Sequence, residues 1–348
     1  MFGSGETSAT GRKIFDHLMR VIAPAGLPQV AILETPAGFE LNSPQVAGRV
    51  AEFLEQRLQN YQPQTTIIPA RKRGTPYSPD DPQIVAPILK AGLVFLGPGS
   101  PTYTARQLGD SLAWHSLVAC QRLGAALVLA SAAAIAFGAF ALPVYEIFKV
   151  GEDLHWKPGL DFFGPYGLQL VFIPHWNNRE GGKGLDTSCC FMGRARFEPL
   201  LSMLPPEVTV AGIDENTALK IDVQSGVCSV LGKDTVTILR NEKERQYSSG
   251  DSFVISELGP AISPDLAAGL PPEVWQQALA ARADMEDAAA VPKEVRTLVA
   301  ARERARACQD WAASDELRGQ IAKKGWQVQD TQHGPRLEKL EKPGHGAV

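Results

Sequence analysis

Ala126-Leu127-Val128-Leu129-Ala130-Ser131-Ala132-Ala133-Ala134 joins a fully apolar run to an alanine-rich one through a single serine. Four apolar residues in a row fit a strand buried on both faces of a sheet, and the alanines after Ser131 fit a helix. The run continues to Phe148 with only Glu146 charged, long enough for a membrane span. Its many Ala, Gly and Ser residues and Pro143 favour a buried strand turning into a buried helix instead. Upstream the same alternation recurs. Val30-Ala31-Ile32-Leu33, Thr66-Ile67-Ile68 and Leu93-Val94-Phe95-Leu96 read as strands. Residues 42–58, 84–89 and 104–123 carry helical apolar spacing between them. Strand and helix alternating in steps of about 30 residues mean right-handed crossovers and a parallel sheet. Ligands of such sheets sit beyond the carboxyl ends of the strands, so the loops at 36–40, 97–101 and 130–133 should meet in one crevice.

From about residue 165 the pattern changes. Leu168-Gln169-Leu170-Val171-Phe172-Ile173 reads as a strand and 187–203 as a helix. Short runs at 208–211, 218–221, 228–230 and 236–239, separated by turn residues, read as antiparallel strands. Residues 259–291 are rich in Pro, Ala and Gly, with one helix around 272–285. Two helices at 292–308 and 310–323 and a small hairpin, Trp326–Val328 with Arg336–Leu337, turning at His333-Gly334-Pro335, form a last unit. The expected division is a domain over 1–258, a linker over 259–290, a C-terminal domain over 291–340 and a tail over 341–348.

Composition bounds the function. The 348 residues are 44% hydrophobic and 21% charged, ordinary globular usage that argues against a disordered or coiled-coil chain. The net charge of -4 excludes a general polyanion binder, yet it is unevenly spread. Residues 1–291 hold 23 basic and 30 acidic residues; residues 292–348 hold 11 basic and 8 acidic. The five cysteines lack C-x-x-C spacing, and adjacent Cys189 and Cys190 are expected to be buried small side chains. An odd count of free thiols in a chain this long points to a reducing, cytoplasmic setting. Met1-Phe2-Gly3-Ser4-Gly5-Glu6 has no features of a secretory signal.

Ser131 stands where a nucleophile elbow would place it, after a strand and at a helix N-terminus that favours an oxyanion. A serine there is more often only a helix cap. His175, in Ile173-Pro174-His175-Trp176, and Glu215, in Gly212-Ile213-Asp214-Glu215-Asn216-Thr217, also follow strands. Together they supply a base and an orienting group of the kind a serine nucleophile needs.

The order Gly97-Pro98-Gly99-Ser100, Leu127 to Ala134, Pro174-His175-Trp176-Asn177 and Gly212 to Ala218 resembles the cyanophycinase and aspartyl dipeptidase family over residues 1 to about 240. That resemblance implies an α/β, flavodoxin-like fold of the class I glutamine amidotransferase type, with a mostly parallel sheet and helices on both faces. It implies a serine peptidase whose triad is Ser131, His175 and Glu215, with the Gly99, Ser100 and Ala132 amides lining the oxyanion hole. Known members cleave bonds next to aspartate. Leu129 and Ala133 stand where the family elbow has glycines, which predicts a crowded turn. Pro98 and Pro101 remove amides from a loop that should offer them. Gly3-Ser4-Gly5-Glu6-Thr7-Ser8 resembles the first strand-to-helix loop, but with two residues before it a first strand would need residues upstream. Gly-x-Gly there also fits nucleotide phosphates, though without a preceding strand.

Asp310-Trp311-x-x-Ser314-Asp315-Glu316-Leu317-Arg318 and Gly325-Trp326-x-Val328-x-Asp330-Thr331-x-x-Gly334-Pro335-Arg336, with Glu294 to Arg306 before them, resemble the small C-terminal domain of bacterial cysteinyl-tRNA synthetase. That implies a helical-hairpin domain touching tRNA. Arg302, Arg306, Lys323, Lys324 and Arg336 would meet phosphates, and Trp326 and Trp311 would stack on bases. Alternatively, Trp311, Leu317, Ile321 and Trp326 form a mini-core. No His-Ile-Gly-His or Lys-Met-Ser-Lys-Ser type motif is present, so aminoacylation is not expected. Two readings stand: a serine hydrolase with an RNA-binding-like tail, or an inactive relative holding a ligand or tRNA. The expected partners are a small peptide substrate, tRNA and a second copy in a homodimer, with no membrane, no metal and no cofactor.

Overall fold

A computed structural model of the chain describes residues 1–22, 28–331 and 334–340, with backbone alone at 286–290, 293, 331, 334 and 336. It divides into two units, Met1–Ala280 and Ala281–Val348.

The first unit is α/β. After α1 (Ala9–Ile22), strands β1 (Gln29–Leu33), β2 (Gln64–Ile68), β3 (Leu93–Leu96) and β4 (Ala126–Leu129) form a parallel sheet in the order β2-β1-β3-β4. Alternate residues of each strand feed opposite faces, as the two-residue period demands. Val30, Ile32, Phe95 and Val128 pack under α1 and α2 (Ser43–Arg57). Ala31, Leu33, Val94, Leu96 and Leu129 face the other side. There α3 (Pro82–Val85), α4 (Pro101–Leu108), α5 (Leu112–Arg122) and α6 (Ala132–Ala136) follow the strands. Expected as one helix, 104–123 is two. Gly109 and Asp110, the latter at φ 53°, break it, and Ser111 caps the second piece by accepting from the Trp114 amide.

The apolar run through Phe148 is β4, α6 and a short strand β5 (Phe140–Ala141), which pairs with β6 (Lys157–Pro158). No helix among the described residues is long and apolar enough to cross a membrane. Strand β7 (Leu170–Ile173) pairs in parallel with β8 (Thr209–Ile213) after helix α7 (Arg194–Ser202). The sheet continues antiparallel through β11 (Thr235–Arg240) to β12 (Lys243–Ser248), in the order β12-β11-β8-β7. Strands β9 (Thr217–Asp222), β10 (Val227–Gly232) and β13 (Ser252–Val254) form a further antiparallel set.

Residues 2 and 3 stitch these sheets together. Phe2 bridges Ala130 in parallel and Ala218 antiparallel, and its carbonyl accepts from the Ser131 amide. Gly3 donates to Thr217 O, and its carbonyl accepts from the His175 amide. A Cβ at Gly3 would lie 2.1 Å from Asp214 O, so only glycine fits this seam. The Gly3–Gly5 loop therefore packs against the segment carrying Glu215. Phe2 stacks on Phe15 with ring centroids 5.6 Å apart and is fully buried. Phe2→Ala should cost about 3–5 kcal/mol, read as a lower urea midpoint of the full chain. An unchanged midpoint would show that the seam does not contribute to stability.

Helix α8 (Pro272–Ala290) occupies much of the region expected to be a linker and runs longer than the expected 272–285. In the second unit, α9 (Lys293–Ala307) and α10 (Trp311–Lys323) precede a hairpin of β14 (Trp326–Thr331) and β15 (Gly334–Lys339). Val291, Val295, Ile321 and Val328 are its core. His333, expected in the hairpin turn, and the tail 341–348 lie outside the described residues.

Candidate active site and the C-terminal unit

Ser131 leaves β4 with φ 50° and ψ −114°, a conformation non-glycine residues rarely adopt and that costs about 1–3 kcal/mol. Its hydroxyl makes no helix-capping bond. Instead Ser131 Oγ lies 2.9 Å from His175 Nε2. On the other side of the ring, Nδ1 lies 3.0 Å from Glu215 Oε1. The crowded turn expected from Leu129 and Ala133 therefore still bends as an elbow. Both side chains are buried in the core on the α5 and α6 face, so their bulk is absorbed there.

Glu215 is held from two further directions. Asn178 Nδ2 donates to Oε1 at 2.9 Å, and the Glu215 amide donates to Asn177 Oδ1 at 2.9 Å. Partial burial pushes the Glu215 carboxyl up, but the bonds from Asn178 and His175 outweigh it and hold the carboxyl below the usual range. The carboxylate thus stays ionised at neutral pH. Asn178 was not singled out from sequence; its signal is the Asn177-Asn178 pair directly after His175-Trp176. Glu6 was also missed. Burial pushes its carboxyl up, against a backbone hydrogen bond and the attraction of His175.

His175 itself has φ 51°, and a turn of three left-handed residues, Cys189, Cys190 and Phe191, packs behind it. The Cys190 amide donates to His175 O, and the Phe191 ring lies 5.8 Å from the imidazole. Both thiols are free and buried, with burial pushing Cys189 up to about 11. They serve as small packing groups rather than nucleophiles.

The loops at 36–40, 97–101 and 130–133 do meet. A Cβ at Gly99, whose φ is +149°, would lie 1.9 Å from Pro36 O. Neither the Gly99 nor the Ala132 amide donates to another group of the described residues, and both residues border the cavity holding Ser131 and His175. Ser100 differs from expectation. Its amide donates to Pro36 O, and its hydroxyl accepts from the Tyr103 amide as the cap of α4. Its amide is therefore not free for an oxyanion. Pro101 begins α4, where an amide would lack a helical partner anyway, so it removes little. The cavity is about 490 Å³. Among the described residues no group of three or more His, Cys, Asp or Glu is placed to hold a metal.

In the C-terminal unit the expected cations separate. Arg302 does not face solvent: it is 2% exposed, and its guanidinium meets both Asp330 oxygens at 2.9 Å and Glu303 at 2.8 Å. It is a structural ion pair, 28 residues apart in sequence, that spacing could not reveal. Arg306 also reaches Asp330, at 3.0 Å, and lies 5.7 Å from the Trp311 ring. Lys324 pairs with Glu294, Lys323 is exposed, and the Arg336 side chain lies outside the described residues. Trp326 packs on the small core, whereas Trp311 is 58% exposed and takes no part in it.

With this geometry in view, the likeness to known proteins is specific in its parts. The α/β unit has the fold of a peptidase from an acI-B1 actinobacterium, with a TM-score of 0.58 at 22% identity, covering 73% of this chain and 94% of that one. Residues 288–334 match the cysteinyl-tRNA ligase anticodon binding domain family. The chain is 49% identical over 47 residues, 14% of its length, to cysteine–tRNA ligase 1 of Burkholderia lata, and 49% identical over 51 residues, 15% of its length, to cysteine–tRNA ligase of Methanosarcina mazei. The chain spans only 10% and 11% of those two ligases. A peptidase-like fold is thus joined to a segment similar to an anticodon-binding domain.

Proposed function

We propose that the chain is a serine hydrolase of the peptidase or amidohydrolase type, with Ser131 as nucleophile, His175 as general base and then acid, and Glu215 orienting the imidazole. The observation that carries the reading is the unbroken chain of bonds from Ser131 Oγ through His175 to Glu215, on a serine whose backbone is bent into an elbow. In the attacking step the Oγ–C bond forms and the Oγ proton passes to Nε2. The carbonyl oxygen, now negative, is met by the Gly99 and Ala132 amides. His175 then protonates the leaving group, and water releases the acyl group by the reverse sequence. Turnover of an activated p-nitrophenyl ester by the full chain tests this. Ser131→Ala should lower it by roughly 10³-fold or more. Equal turnover in both proteins would favour the alternative, a catalytically inactive relative that holds a ligand.

The C-terminal unit supports a second activity, tRNA binding, through exposed Trp311 with Arg306 beside it. Binding of the full chain to tRNA should weaken steeply with salt, and Trp311→Ala should weaken it by roughly tenfold if one base stacks there. Absence of binding even at low salt would remove this reading.

A further inference from the structure

We infer that the cavity over Ser131 selects an acyl group bearing an uncharged apolar or aromatic side chain, and that it disfavours acidic ones. The inference rests on the hydrolase reading above and adds the substrate class. In the acyl-enzyme the acyl carbon is bonded to Ser131 Oγ, so the walls of this cavity surround whatever that carbon carries. Those walls are Ile135, Val144, Tyr145, Phe148, Leu185 and Phe191, arranged around a volume of about 490 Å³. Ile135 and Val144 are buried, while Tyr145 and Leu185 keep 39% and 56% of their surface exposed. Large apolar side chains left open to water beside a nucleophile form a surface that a substrate would cover.

A pocket selecting a carboxylate is best served by a cation held in place with its donors aimed inward. Among the described residues no cation is held in that way here. Arg196 donates from Nε to Met192 O and from Nη2 to Phe191 O, so its guanidinium is taken up behind the wall. Lys149 also lines the cavity, but it is exposed, with its ammonium over the Tyr145 ring at 5.2 Å and no hydrogen bond among the described residues to fix it. Glu180 adds a carboxylate to the same lining, and Glu6 a carboxyl near His175. An acidic side chain would meet apolar walls, the Glu180 carboxylate and one exposed, unfixed lysine, with no buried cation among the described residues to hold it.

The test compares kcat/KM of the full chain on the p-nitrophenyl esters of N-acetyl-phenylalanine, -leucine, -alanine and -aspartate, with the Ser131→Ala rate subtracted. The phenylalanine and leucine esters should exceed the aspartate ester by roughly tenfold or more. Phe148→Ala should raise KM for the phenylalanine ester several-fold more than for the alanine ester, and it should still take a fluorophosphonate label if folded. Ser131-dependent turnover that is equal or faster on the aspartate ester overturns the inference while leaving the hydrolase standing. No Ser131-dependent turnover and no label on any variant overturns both.

Discussion

Glu215→Gln should reduce kcat by roughly 10³–10⁴-fold with KM little altered. Asn178 donates to the very oxygen that faces His175 Nδ1. A glutamine oxygen in that place can still accept from both donors, which keeps the proton on Nδ1 and Nε2 free to accept. What it lacks is the negative charge that stabilises the imidazolium formed when Nε2 takes the Ser131 proton. The loss is thus one of charge rather than of structure. It is checked by steady-state kinetics beside a thermal melt. The same carboxyl sets a pH signature. Its folded value lies below the ordinary range, so its stabilising share is present above the unfolded value of about 4.3 and is lost as pH falls through the folded value. The stability gap between wild type and Glu215→Gln should be full at neutral pH and close as the solution is taken below that range. A gap that widens on acidification would contradict this placement of the carboxylate.

Gly99→Ala should lower kcat by roughly 10²–10³-fold, the usual cost of one misplaced oxyanion donor. The added Cβ would collide with Pro36 O, and φ at +149° is open to glycine alone. The loop has to move, taking with it the only amide of its pair with Ser100 that is not already bonded. A stability loss of about 1–3 kcal/mol should accompany it, measured by urea unfolding. Full activity in a stably folded Gly99→Ala protein would show that this amide is not a donor to the reacting oxygen.

Much of this architecture is legible in the sequence. Parallel strands buried on both faces leave unbroken apolar runs, so β1, β3 and β4 stood out, and their loops could be sent to one crevice. Ser131, His175 and Glu215 each stand two residues past a strand, and the resemblance carried by the blocks around them singles them out as a triad. What stayed hidden depends on contacts between distant residues. Ser100 looked like a donor until Pro36, far back in the chain, was seen to accept its amide. Arg302 looked like a phosphate ligand until Asp330 folded onto it. The elbow looked compromised because sequence shows Leu129 beside the turn but not the core that buries it. A local break also outweighs helical spacing at Gly109-Asp110-Ser111, where a glycine and a capping serine end α4 before α5 begins.

An activated Ser131 should react covalently with an electrophilic phosphonate. The most direct measurement is the mass of the full chain after exposure to a fluorophosphonate, followed by peptide mapping. One adduct is expected, on Ser131, absent from Ser131→Ala and strongly slowed in His175→Ala. An unmodified wild-type protein, or an adduct that persists on another residue in Ser131→Ala, would contradict it.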